Sequence, residues 1–261
     1  MNHSLLFVPA KDRMLAKIES FDADAYIIDL EDSIEDYDKE EALERLVNWL
    51  RGNAEKHKII VRLNKTTYKR ELEKLKEFNV DFMLPKYEDS DEYSLNDTSW
   101  DNHKIYVLIE TAKGLINIGH ILENKEIYAV AFGAEDYTAS VGMSNTIANL
   151  QYQKSRLVSY ARAYGKLVYD TPSFQLNNHE LFRAEVDNAF DLGFDGKLAI
   201  NPRQLAYIKK AFFGGDLAAM QEIIDLYEKE QKAVLMIDGK AYEKNYQRKM
   251  GELTWNCMEK R

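Results

Sequence analysis

An α/β fold, a (β/α)8 barrel followed by a C-terminal helical extension, is what the 261-residue sequence predicts. Three observations carry it. Eight short apolar runs alternate with helix-patterned intervals, the mark of parallel strands buried on both faces. Several runs end in an acid or an arginine, and in a closed barrel such residues gather at the carboxyl-terminal edge, where active sites are built. No G-x-G-x-x-G turn follows the first run, which weakens the open doubly wound sheet as the alternative.

The first run is 5–8, ended by Pro9, and 11–20 reads as a short helix with Met14, Leu15 and Ile18 on one side. Strand two, 25–30, runs into Glu31 and Asp32. A helix over 39–51 carries Ala42, Leu43, Leu46, Val47 and Leu50 at helical spacing and stops at Gly52-Asn53. Strand three is 58–63, interrupted by Arg62, and a short helix over 68–78 follows. Strand four is 80–84, then Pro85-Lys86 and a polar, irregular stretch to residue 102. Strand five is 105–109, the next helix 112–122, and strand six 127–132. A helix over 147–164 ends at Gly165. Strand seven is 166–169 with a loop from Asp170, a helix spans 178–192, strand eight is 196–200 and its helix starts at Gln204. These eight units occupy about 215 residues, near the lower bound for a closed barrel. The expected division is therefore a barrel over 1–215 and an extension over 216–261. Gly214-Gly215 reads as a hinge, 216–233 as a helix, 234–243 as an extended segment or hairpin, and 244–261 as a basic surface helix.

A net charge of −9 argues against nonspecific binding to nucleic acid or anionic membrane. No apolar run approaches the ~20 residues that cross a bilayer, and the amino terminus lacks the pattern of a secretion signal. The single cysteine, Cys257, forms no internal disulfide and fits a reducing, cytoplasmic setting.

The chemistry is concentrated in IYVLIETAKG and IYAVAFGAEDY. Glu110 follows one strand, and Glu135-Asp136 follow its neighbour. Two carboxylates with a Gly-Ala backbone between them can seat a hard divalent cation, since Mg2+ takes one or two carboxylates and keeps positions for substrate oxygens. Capping of the following helices is the alternative use of these acids.

Seven stretches, in order, carry a family likeness: SLLFVPA (4–10), DAYIIDLEDSI (24–34), VRLN (61–64), MLPKYE (83–88), LIETAKGL (108–115), FGAEDYTASVG (132–142) and LGFDGKLAINPRQL (192–205). The chain resembles the citrate lyase β-subunit-like members of the HpcH/HpaI aldolase superfamily. The resemblance implies a TIM barrel assembled as a homotrimer or hexamer. It implies a Mg2+-dependent carbon–carbon lyase acting on a citryl, malyl or citramalyl thioester or a related keto acid. Glu110 and Asp136 are then the Mg2+ ligands. Arg62 holds a substrate carboxylate or carbonyl, which a guanidinium grips through two parallel hydrogen bonds. An ion pair with Glu31 or Asp32 is the alternative for Arg62. Backbone N–H groups around Gly133, Ala134 and Glu135 contact the bound carboxylate. Asp29, Glu31 and Asp32 form a supporting acidic group around the metal or Arg62, and Lys86 pairs with that group.

The sequence departs from the family pattern in places. His3 and Ala10 stand where relatives carry Arg and Gly, in the region assigned to the CoA nucleotide. Asn201-Pro202 replaces His-Pro. The loop after strand seven is short. The stretch 239–243 resembles the lid motif G-x-M-I-D, with Glu243 in the place of the aspartate as general acid/base; a solvated surface glutamate is the alternative. Other functions compatible with the fold are a subunit working with an acyl carrier protein, and a non-catalytic metal–carboxylate binder.

Overall fold

In the computed structural model, which describes residues 2–89, 92–95, 98–213, 234–237 and 240–243, eight parallel strands close into a barrel in sequence order. They are β1 Ser4–Pro9, β2 Ala25–Asp29, β3 Ile59–Arg62, β4 Asp81–Leu84, β5 Ile105–Ile109, β6 Ile127–Phe132, β7 Leu167–Asp170 and β8 Gly196–Ala199. Closure comes from β8 pairing with β1, Leu198 opposite Leu5. Strand alternation sorts the side chains. Leu5, Ile27, Ile60, Tyr106, Tyr169 and Leu198 fill the barrel interior. Val8, Ile28, Val61, Val107, Val130 and Val168 face the surrounding helices. Both faces of each strand are therefore dry, which is why the strands read as unbroken apolar runs.

The helices are α1 Asp12–Leu15, α2 Lys39–Asn53, α3 Tyr68–Leu75, α4 Ala112–Ile116, α5 Ile118–Leu122, α6 Ala134–Val141, α7 Ile147–Ala163, α8 His179–Leu192 and α9 Leu205–Phe213. Side-chain caps start α7 and α8: Thr146 accepts from Asn149 N–H and Asn178 from Leu181 N–H. Gly193, at φ +89°, ends α8 in the left-handed region that favours glycine. The single helix expected over 112–122 is broken at Asn117, whose side-chain amide donates to the Glu88 carbonyl at 2.9 Å. The helix α6 is absent from the sequence reading. Its eight residues include two acids and bury only Ala134, Tyr137 and Thr138, too few to show a period.

Asp170 belongs to the end of β7 and not to the following loop. It is fully buried outside the barrel, between Lys154 of α7 at 2.9 Å and Lys197 of β8 at 2.5 Å. Burial pushes its carboxyl up, but the two ammonium groups outweigh burial and hold it below its usual value. Breaking such a buried network by removing one partner costs about 3–5 kcal/mol, so the end of β7 is held rigidly.

Residues 2–212 form one compact unit, and those from Phe213 onward belong to a second. Within the second, β9 Val234–Ile237 pairs antiparallel with β10 Lys240–Glu243, with Glu243 opposite Val234. The hinge at 214–215, the helix expected over 216–233, the tail over 244–261 and the side chain of Glu243 lie outside the described residues. Among the described residues no helix is long and apolar enough to cross a membrane.

Candidate active site

The inward register of the strands continues past the apolar interior and becomes polar at the carboxyl-terminal mouth. Two residues beyond Ile27, Ile60, Leu108 and Ala131 come Asp29, Arg62, Glu110 and Gly133, and all four line one cleft of about 400 Å3. Asp136 on α6 lines the same cleft.

Arg62 closes β3 and is 7% exposed. Its Nε and Nη2 donate to the two oxygens of Asp29 at 2.7 and 2.8 Å, and its Nη1 donates to Asp32 at 3.0 Å. Glu31 Oε2 lies 3.1 Å from the same Nη1, and the Phe7 ring covers the guanidinium at 5.0 Å. The fork that the sequence reading assigned to substrate is thus engaged by Asp29. Of the five N–H groups of a guanidinium, three donate to Asp29 and Asp32, and Nη1 has Glu31 as well as Asp32 against it; among the described residues the second N–H of Nη2 is left for a ligand. Burial pushes the Asp29 carboxyl up, but Arg62 outweighs it and keeps the carboxyl low. Asp29 also accepts from the N–H groups of Glu31 and Ser33, which folds the chain back after β2.

Lys86 links the acids. Its backbone, at φ +47°, occupies a region uncommon for a side chain of its size. In that conformation its N–H donates to Glu110 Oε1 at 2.7 Å. Its ammonium lies 2.9 Å from Glu31, 3.6 Å from Asp32 and 3.6 Å from Asp136. One residue therefore touches the carboxylates of both apolar runs. Glu110, 3% exposed, has its carboxyl pushed up to about 8, chiefly by burial and then by the charge of Glu31. Glu31 is also raised by burial, despite Arg62 and Lys86 beside it.

Gly133 makes room for Glu110. A Cβ there would lie 2.7 Å from Glu110 Cβ and 2.7 Å from its Oε2, closer than real contacts allow. Gly133→Ala is expected to displace the Glu110 side chain, weaken divalent-cation affinity at least tenfold and cost about 1–3 kcal/mol of stability. Calorimetric titration and a thermal melt check this; an unchanged cation affinity would contradict it.

Among the described residues the five carboxylates of Asp29, Glu31, Asp32, Glu110 and Asp136 gather around two cationic side chains, Arg62 and Lys86. That excess attracts a cation. Glu110 Oε2 makes no hydrogen bond among the described residues, and Asp136 is half-exposed to the cleft. Among the described residues no three His, Cys, Asp or Glu side chains are placed to hold one metal ion together. Two carboxylates are the usual protein share for Mg2+, whose other positions go to water and substrate oxygens; the donor set fits.

The backbone donors expected to meet a carboxylate are sorted by the geometry. Gly133 N–H already donates to the Ile109 carbonyl at 2.9 Å, and Ala134 N–H to Thr171 Oγ1 at 3.0 Å. Among the described residues the N–H groups of Glu135 and Asp136, in the first turn of α6, find no acceptor. The Glu135 side chain turns outward to Asn145 at 2.8 Å. Of the two departures in the region assigned to the CoA nucleotide, Ala10 follows the mouth end of β1. His3 lies at the opposite end, against the Asp195 carbonyl at 2.6 Å and stacked on Phe212; a strand's length separates it from Glu110. Thr171 was missed, although it lies two residues beyond the inward-facing Tyr169 and lines the cleft.

The model of the HpcH/HpaI aldolase/citrate lyase family matches residues 3–202. A (3S)-malyl-CoA thioesterase of Cereibacter sphaeroides is 30% identical over 92% of this chain and 89% of its own. A mitochondrial citramalyl-CoA lyase of Rattus norvegicus is 26% identical over 80% of this chain and 70% of its own. Among solved structures, the citrate lyase β subunit of M. tuberculosis complexed with oxaloacetate and magnesium superposes with a TM-score of 0.70. It is 26% identical, covering 81% of this chain and 96% of that one. On the match over 3–202 and the shared barrel, the chain belongs to the HpcH/HpaI aldolase/citrate lyase family.

Proposed function

We propose that this protein is a Mg2+-dependent carbon–carbon lyase that splits a short 3-hydroxyacyl thioester of the malyl, citramalyl or citryl type into a 2-keto acid and an acyl thioester. The observation that carries this reading is the Lys86-linked pair of carboxylates, Glu110 and Asp136, at the mouth of a barrel with an excess of negative charge. A cation must enter before a carboxylate substrate is welcome there. When bound, Mg2+ would polarise the keto or hydroxyl oxygen at the bond that breaks.

The chain's own residues supply the rest. Glu110 and Asp136 hold the ion, and Lys86 keeps Glu110 oriented through its N–H. The free N–H groups of Glu135 and Asp136 receive the substrate carboxylate, in place of those of Gly133 and Ala134. Arg62, locked by Asp29, presents its remaining N–H on Nη2 to a substrate oxygen. The proton of the 3-hydroxyl goes to a carboxylate, the electron pair of the broken C–C bond becomes the enolate of the acyl thioester, and the enolate carbon takes a proton back; Glu243 takes this acid/base role from the family motif alone. A homotrimer or hexamer in the cytoplasm, taking its substrate from CoA or from an acyl carrier protein, completes the proposal.

The test incubates the purified chain and Mg2+ with malyl-, citramalyl- and citryl-CoA. Release of a 2-keto acid and acetyl-CoA, lost on chelation, supports the lyase. Release of the free hydroxy acid and thiol marks thioester hydrolysis, the activity named for the Cereibacter sphaeroides relative. No turnover with any of them contradicts the proposal. Arg62→Lys keeps the charge and loses the fork. It is expected to weaken pyruvate or oxaloacetate binding at least tenfold in the Mg2+-loaded protein, as read by calorimetry; an unchanged affinity assigns Arg62 a purely structural role.

A further inference from the structure

We infer that Thr171 is a substrate-binding residue, whose hydroxyl donates to the keto acid's carboxylate beside the first turn of α6; this rests on the lyase reading above. Thr171 is 6% exposed and lines the cleft. Its Oγ1 accepts from Ala134 N–H at 3.0 Å, so the oxygen sits at the start of α6, next to the free N–H groups of Glu135 and Asp136. A threonine hydroxyl has one proton to donate. Among the described residues Thr171 donates it to no acceptor. The cleft it lines also has an apolar stretch, Pro172, Phe174, Leu198 and Ile200, whose side chains accept nothing. A donor left without a partner costs about 1–3 kcal/mol; at the cleft wall its acceptor is water until a ligand carboxylate displaces it.

The placement is rigid from both directions. Accepting from Ala134 N–H restricts where the hydroxyl proton can point. The preceding residue, Asp170, is clamped between Lys154 and Lys197, so the end of β7 has little freedom to swing away. A rigid side-chain donor beside two backbone donors suits the planar, two-oxygen carboxylate of a 2-keto acid. The apolar wall beyond it meets whatever substituent the keto carbon carries.

The experiment measures pyruvate and oxaloacetate affinity in the Mg2+-loaded protein, and Mg2+ affinity alone, for wild type, Thr171→Val and Thr171→Ser. The expected result is a tenfold or greater loss of keto-acid affinity in Thr171→Val, Mg2+ affinity within twofold of wild type, and recovery to within threefold in Thr171→Ser. Unchanged keto-acid affinity in Thr171→Val overturns the inference. An equal loss of Mg2+ affinity also overturns it, because Thr171 would then act only by holding α6. If Thr171→Val does not fold, Thr171→Ala is read by the same criteria. A wild-type protein that binds Mg2+ but no keto acid defeats the lyase reading itself, and is recognised before any variant is compared.

Discussion

Glu110→Gln is expected to abolish Mg2+ binding and to slow carbon–carbon cleavage roughly a thousandfold, since Lewis-acid stabilisation supplies several kcal/mol at about 1.4 kcal/mol per tenfold. The glutamine fills the same space beside Gly133, where there is no room for added atoms. It still accepts from Lys86 N–H, so the fold around the mouth stays intact. What it removes is the negative charge and one ligand. The buried site also loses a group that burial makes costly to ionise, so the metal-free variant should melt no lower than wild type. Calorimetry and keto-acid release measure the two effects. Retained Mg2+ affinity in Glu110→Gln would remove Glu110 from the ligand set.

The second large effect is on pH. With its carboxyl raised from 4.5 to about 8, Glu110 holds a proton at neutral pH in the metal-free protein. A divalent cation has to displace that proton. Apparent Mg2+ affinity should therefore climb about tenfold per unit from about pH 6 to pH 8 and level off above. Each ion bound below pH 8 should release close to one proton, detected by titration in buffers of different ionisation enthalpy. The stability of the metal-free protein follows the opposite course. The folded state keeps the proton up to about 8, whereas an unfolded chain sheds it near 4.5. Stability from this group is thus full below 4.5 and is lost as pH rises towards 8. Saturating Mg2+ removes that loss. An affinity independent of pH over this range would show Glu110 already ionised.

Much of this was legible in the sequence because a parallel barrel buries both faces of its strands. The runs ending at Asp29, Arg62 and Glu110 stand out, since a charged residue closing an apolar strand needs a specific partner. Which partner is a matter of space. Asp29 and Arg62 are 33 residues apart, and only the β2–β3 register, Asp29 beside Arg62, joins them. The sequence thus points to Arg62 but not to the loss of its fork to Asp29. Thr171 carries no charge, and Asp170 before it looks like a loop acid. Only the alternation from Tyr169 could have flagged it. Lys197, alone among apolar neighbours in β8, gives no hint that it and Lys154 share one buried aspartate. The helix α6 escaped for lack of length, although it carries Asp136 and the free N–H groups.

The most direct test is a crystal of the protein soaked with Mn2+ and pyruvate, read by the anomalous signal of the metal. The expected result is a single peak at the barrel mouth, within roughly 2.0–2.3 Å of a carboxylate oxygen of both Glu110 and Asp136, with pyruvate completing its coordination. A peak bound to only one of them, or one lying elsewhere on the molecule, would contradict the shared site.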